Sequence, residues 1–119
     1  MSTLDIIKCK LKFLIDKYDF DFEFINVSGN HYFFKNRNGY IEFYEWPQFD
    51  ESAIFVNYNM ISKEIKLIEE YPKIMGKFIQ SHKGFLGFFK DERYDYWEMI
   101  SNIIQIEINT NNNIFGLKL

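Results

Sequence analysis

The amino-acid sequence predicts an α+β fold, in which an N-terminal helix and C-terminal helices lie on one side of an antiparallel sheet of four or five strands. Three observations predict it. Apolar residues fall at helical spacing near the N-terminus, they alternate with polar residues from residue 19 to about residue 59, and they return to helical spacing afterwards. The 119 residues, 47% of them hydrophobic and 26% charged, are predicted to form a single domain over residues 1–119.

The first predicted element is an amphipathic helix over residues 3–17, which Ser2 or Thr3 can cap. Charged residues interrupt its apolar positions at every turn, which argues against a signal peptide or a membrane span and favours a helix that packs on a core. The apolar positions on its inner side are Leu4, Ile7, Leu11, Leu14, Ile15 and Tyr18.

Four runs with period-two alternation predict an antiparallel meander over residues 19–27, 31–35, 40–46 and 53–59. Asn38-Gly39 suits a two-residue turn between the second and third strands. That turn sets a register, in which the predicted cross-strand pairs are Arg37 with Tyr40, Lys35 with Glu42, Phe33 with Tyr44 and His31 with Trp46.

The second half of the chain predicts helices, with two ambiguous segments. Ser62 can cap a helix that runs to about residue 71, although residues 64–70 also alternate well enough for a fifth strand. Pro72 interrupts this helix or starts a second short one that ends near His82. A further helix is predicted from residue 91 or 92 to about residue 109, and a strand over residues 103–108 is the alternative.

The sequence carries no recognisable catalytic, metal or nucleotide signature. Two histidines and the single Cys9 cannot supply a Cys/His zinc set, and no glycine-rich phosphate loop is present. We therefore expect no enzyme, no cofactor and no metal. A net charge of −3 argues against general nucleic-acid binding, and a lone cysteine favours the cytoplasm.

Acidic residues concentrate on one predicted face of the sheet. Residues 16–51 hold eight acidic and three basic residues, a net charge of −5 (3 − 8). If the phenylalanines at 20, 22 and 24 face the helices, the acids that alternate with them share the outer face, and this face suits a basic protein partner. A solvated acidic face is the plain alternative. The candidate partner-binding residues are Asp19, Asp21, Glu23, Glu42, Tyr44 and Glu45, with Trp46, Asp50 and Glu51 at the rim.

The order of elements resembles that of a known group of proteins. A helix of the type "LKFLIDKYDF" leads into a strand, and the hairpin "KNRNGYIEFY" follows. Over about residues 1–60 this is similar to small immunity proteins of bacterial polymorphic-toxin systems. The resemblance implies a cytoplasmic protein that binds and blocks a cognate toxin, often a nuclease. A basic nuclease domain is therefore a candidate partner, and from charge and sequence pattern we expect no direct contact with nucleic acid or membrane. The resemblance transfers no functional residue to this chain.

Two other functions stay open at this point. One is a small ligand-binding or enzymatic domain with a pocket between sheet and helices, which would hold His31 or His82 beside a carboxylate. The other is an orphan homodimer of phage origin, which would pair through a sheet edge or through the aromatic loop at residues 85–89.

Overall fold

The structure, a computed structural model, describes residues 2–44, 51–82 and 92–110 and confirms the predicted fold class. Within these residues the helices and strands follow one another along the chain as expected for an α+β protein. They are α1 (Thr3–Lys10), α2 (Lys12–Tyr18), β1 (Asp21–Asn26), β2 (Asn30–Asn36), β3 (Gly39–Tyr44), β4 (Ala53–Tyr58), β5 (Ile61–Lys66), α3 (Leu67–Glu70), α4 (Pro72–Ser81) and α5 (Glu92–Asn109).

The five strands form one antiparallel sheet in the order β1-β2-β3-β4-β5, which is a meander. Each strand pairs with its neighbours in sequence, so every connection is short. The face that meets the helices carries rows of apolar side chains across the strands. One row is Phe34, Ile41 and Val56, and the next is Phe43, Ile54 and Ile65.

The core lies between this face and the helices. Ile7 and Leu14 from the N-terminal helices and Trp97, Ile100 and Ile104 from α5 are buried in the same cluster as the strand residues. The Trp97 indole makes edge contacts with the rings of β2 and β3. Full burial of one isoleucine or leucine side chain contributes about 1.5–3 kcal/mol, so the aligned rows supply the main driving force for this arrangement.

The N-terminal helix is interrupted at Leu11, whereas the sequence predicted one helix over residues 3–17. Leu11 has φ −109° and ψ 16°, outside the helical range, and α2 starts after it. Its side chain is fully buried, so packing rather than helix propensity decides the backbone here. The predicted cap is confirmed, because Ser2 and Asp5 form a reciprocal capping box.

The first strand begins at Asp21, two residues later than predicted. Asp19 has φ 58° and ends α2 in the left-handed conformation, so its side chain does not belong to a face of the sheet. Phe20 and Phe22 pack on the core as expected. Phe24 lies on the same face of β1, but its side chain is 38% exposed because β1 is an edge strand.

The β2–β3 hairpin turns one residue earlier than predicted, which shifts the cross-strand register by two residues. Asn36 pairs with Gly39, so Arg37 and Asn38 form the turn, and the side chain of Asn36 accepts a hydrogen bond from the Asn38 amide at 2.9 Å. The predicted register was therefore wrong. Opposite residues are Lys35 with Tyr40, Phe33 with Glu42 and His31 with Tyr44. A shift of two residues changes the partners but keeps each side chain on its predicted face.

Gly39 explains the shift. A Cβ at this position would lie 1.8 Å from the backbone oxygen of Asn57, and φ is 154°. The glycine thus allows close approach between β3 and β4, which the local turn chemistry of Asn38-Gly39 does not reveal.

Residues 61–66 form the fifth strand, and the helix predicted to start at Ser62 was wrong. Asn59 and Met60 both have positive φ and make the tight turn that returns the chain to the sheet edge. The helical segment starts only at Leu67, and Pro72 opens α4 as its first residue, as predicted.

The last described element is the helix α5, so the alternative of a strand over residues 103–108 was wrong. Its buried residues include Trp97 and the isoleucines at 100, 104 and 108, as the helical spacing predicted. The aromatic loop with Phe85, Phe88 and Phe89 lies outside the described residues.

We expect Gly39→Ala to lower the free energy of unfolding by at least about 2 kcal/mol, because the new Cβ would force β3 away from β4. Urea unfolding followed by circular dichroism measures the change. Gly76→Ala is the matched control, since a Cβ there meets nothing within 4 Å in α4. It should raise stability by about 0.5–1 kcal/mol. Equal effects of the two substitutions would contradict the close-approach role of Gly39.

Candidate partner-binding face

The side chains that alternate with the core rows form a second surface, which we name the outer face of the sheet. Its described acidic residues outnumber its lysines by four to two, a net charge of −2 (2 − 4) with histidine neutral. Aromatic side chains stand between these charges. The outer face includes the side chains of Asp21, Glu23, His31, Phe33, Lys35, Tyr40, Glu42, Tyr44, Phe55, Asn57, Ser62, Glu64 and Lys66.

Glu42 stands at the centre of the outer face. It lies directly opposite Phe33 on β2 and Phe55 on β4, and it is only 9% exposed. A carboxylate in such surroundings requires hydrogen-bond donors. Nδ1 of His31 lies 2.9 Å from its Oε2, and the Tyr44 hydroxyl donates a second hydrogen bond. The ionised carboxylate accepts only, so Nδ1 of His31 carries the proton in this pair.

The aromatic rings of the outer face pack against one another. The His31 ring meets the edge of Tyr44 with centroids 4.3 Å apart, and Tyr44 meets Phe55 at 5.2 Å. Phe33 contacts Tyr40 at 5.8 Å. All of these side chains are half-buried. Rings held by such edge contacts keep a fixed orientation while leaving apolar surface in water.

The β1 side of the outer face carries the exposed charges. Glu23 and Lys35 form an ion pair at 2.7 Å, with about half of each side chain exposed. Lys35 also lies 4.9 Å from the centroid of the Phe33 ring, and Asp21 is its direct cross-strand neighbour. An exposed pair of this kind contributes about 0–1 kcal/mol to stability, so these residues are available for recognition.

The structure brings together four of the predicted interface residues, namely Asp21, Glu23, Glu42 and Tyr44. Asp19 is excluded from the strand, and Glu51 is exposed just before β4. Glu45, Trp46 and Asp50 lie outside the described residues. The sequence reasoning missed the outer-face rings of Phe33, Tyr40 and Phe55, although the same period-two alternation that placed Glu42 also marks them.

Burial raises the pKa of Tyr44 to about 12, and the hydrogen bond to the Glu42 carboxylate adds to this shift. The raised value means that the folded state holds the phenolic proton more tightly than the unfolded chain does. The corresponding stabilisation is present below pH 10, about the pKa of an unfolded tyrosine, and it is lost as the pH rises towards 12.

A second histidine–carboxylate pair lies between α4 and α5. Nε2 of His82 is 3.2 Å from Oδ2 of Asp95, and the His82 ring packs on Phe78 with centroids 4.6 Å apart. The contact with Asp95 lacks hydrogen-bond geometry, and the His82 side chain is only 2% exposed. The His82 ring is therefore covered, whereas His31 lies on the outer face of the sheet.

Among the described residues, no group of three or more histidine, cysteine, aspartate or glutamate side chains is placed to hold a metal ion. None of the helices in the same ranges is both long and apolar enough to cross a membrane.

In the described part of the chain, this α+β protein packs its helices on one face of the sheet and carries acidic and aromatic side chains on the outer face. Comparison of the chain with protein-family models, curated proteins and solved structures finds no match.

We expect Glu42→Gln to lower the pKa of Tyr44 from about 12, because it removes the negative carboxylate that accepts a hydrogen bond from the Tyr44 hydroxyl. The value should stay above 10, since burial is the larger cause of the shift. Spectrophotometric titration of the phenol groups, with Tyr44→Phe to assign the signal, measures this change. Glu64→Gln is the matched control on the same face. A Tyr44 pKa that does not respond to Glu42→Gln would contradict the hydrogen bond.

Proposed function

We propose that this chain is a binding protein that neutralises a cognate bacterial toxin by one-to-one association, and that the outer face of the sheet is its docking surface. The observation that carries the proposal is the composition of this face. Half-buried rings and acidic side chains alternate across it, while the described helices pack on the other face. Such a combination suits a partner with a basic surface.

The size of the face fits a protein rather than a small ligand. Five strands at the usual spacing cover about 20 Å, and six residues along a strand cover about 20 Å as well. A standard interface uses about 800 Å² of accessible surface on each partner. The partner would therefore contact most of the outer face and extend to the strand ends, where Glu45, Trp46, Asp50 and Glu51 were predicted to contribute.

Two kinds of residue would have different roles in binding. The exposed carboxylates of Asp21 and Glu23 would attract a basic partner and accelerate the encounter. The rings of Phe33, Tyr40 and Phe55 would supply buried area, which is where interfaces usually obtain most of their affinity. Glu42 is already held by His31 and Tyr44, so its first role is to fix the rings around it.

The resemblance of residues 1–60 to immunity proteins favours a toxin over other basic partners, and a nuclease domain fits best because its substrate groove must be basic. In this proposal the chain acts in the bacterial cytoplasm, binds no nucleic acid itself and needs no cofactor. The alternative of a homodimer would pair through a sheet edge or through the aromatic loop at residues 85–89 instead.

We expect the neighbouring gene to encode a toxin domain, co-expression of the chain to rescue cells from that domain, and Asp21→Lys with Glu23→Lys to weaken rescue. Both residues are exposed, so the reversal should leave the fold intact while binding weakens by about tenfold or more. Cell survival and isothermal titration calorimetry with the purified toxin domain measure the two effects.

Two variants make this test specific. Asp16→Lys with Glu69→Lys changes the net charge equally at exposed helix positions and should leave rescue unchanged. The exchange Glu23→Lys with Lys35→Glu keeps both the net charge and the ion pair but reverses its direction, and it should still weaken binding. If both outer-face variants rescue cells fully, the outer face is not the docking surface. If the native chain gives no rescue, the chain does not neutralise this toxin.

A further inference from the structure

The outer face contains a groove of about 260 Å³ over strands β3 to β5. Two rows of the register shape it. One row places Glu42, Phe55 and Glu64 side by side on three neighbouring strands, and the next row places Tyr40, Asn57 and Ser62. The short side chains of Asn57 and Ser62 leave room beside the two larger rings, so the groove follows directly from the strand pairing.

The groove combines flat apolar walls with negative charge. Tyr40 and Phe55 are half-buried and line it. The carboxylates of Glu42 and Glu64 lie on either side of Phe55 in the same row. Lys63 is the basic residue of the lining, but it lies opposite Val56, so its side chain belongs to the other face of the sheet, where Glu70 of α3 holds the ammonium group at 3.1 Å. The charge that faces an incoming group is therefore negative.

We infer that this groove binds one arginine side chain of the protein partner, an assignment that rests on the proposed function and names the chemistry of its contact. A guanidinium group is planar, so it can stack on the Phe55 or Tyr40 ring while its N–H groups donate to a carboxylate. Glu64 is exposed and offers that carboxylate at the edge strand. The volume is below the roughly 300–1,000 Å³ typical of sites for drug-sized ligands, which agrees with a single side chain.

Arginine fits this groove better than the other charged side chains. A lysine ammonium is compact and strongly hydrated, so it would gain less from the two rings. An aspartate or glutamate would meet Glu42 and Glu64 at close range, which is unfavourable across an interface because like charges repel. The groove therefore adds residue-level selectivity to a face whose overall charge selects only for a basic partner.

The test uses the complete protein and N-acetyl-arginine-N-methylamide as the probe, with chemical shifts followed by ¹H–¹⁵N NMR. We expect saturable shifts centred on the amides of Tyr40, Phe55, Asn57 and Glu64. The citrulline analogue has the same shape without the charge and should produce no saturable shift. The lysine analogue should bind about threefold more weakly or worse.

Variants make the assignment specific. Glu64→Gln and Phe55→Leu should each weaken probe binding by about fivefold, whereas Glu69→Gln, an equal loss of charge at an exposed site on α3, should not change it. Because the Glu64 side chain is exposed, Glu64→Gln should keep the fold, and its NMR spectrum checks this directly. Shifts centred elsewhere, or equal binding of the citrulline analogue, would overturn the assignment. If the probe does not bind while the chain still rescues cells, the assignment of the groove to arginine is wrong and the proposed function stands. If the probe binds while the chain does not rescue cells, toxin neutralisation is wrong and the arginine site stands.

Discussion

The structure depends on one constraint, which is that every strand of the meander must bury the same face. The rows Phe34–Ile41–Val56 and Phe43–Ile54–Ile65 lie under the helices, and a slip of one residue in any strand would turn its apolar side chains to water. At about 1.5–3 kcal/mol for each large side chain, a slip that exposes two or three of them would cost a large part of a typical domain's total stability. The alternate residues are consequently fixed on the outer face, whatever their chemistry.

The outer face meets a second requirement, which is to keep Glu42 charged beside aromatic rings. Removing either donor, His31 or Tyr44, would leave a poorly solvated carboxylate, so the three side chains hold one another in place. Phe33 and Phe55 pack on either side of this unit as the direct cross-strand neighbours of Glu42. A surface ordered before binding loses little side-chain entropy when a partner arrives, which favours a rigid docking surface over an adaptable one.

The sequence predicted which face of the sheet each side chain occupies better than it predicted the cross-strand pairs. Period-two alternation placed Asp21, Glu23, Glu42 and Tyr44 on one side correctly, because it depends only on burial. The predicted hairpin register was wrong at Gly39, because this glycine allows the close approach of Asn57 on β4, which no local sequence pattern reveals. The break at Leu11 and the left-handed Asp19 likewise follow from tertiary packing and chain reversal. Residues 62–66 alternate as a strand does, yet the short segment also matches helical spacing, and only pairing with β4 decides between them.

The two halves of the outer face would contribute differently to a complex. On the β1 side an incoming cation competes with Lys35 for Glu23, so the net gain in affinity is small and the effect is chiefly on the rate of encounter. On the β3–β5 side, the rings of Tyr40 and Phe55 flank the carboxylates of Glu42 and Glu64, and Lys63 of the groove lining is engaged by Glu70. An incoming cation therefore meets half-buried rings and negative charge, in less solvated surroundings than on the β1 side. Selectivity between basic partners should therefore come from the ring-lined half, while the more exposed half determines how quickly they are found.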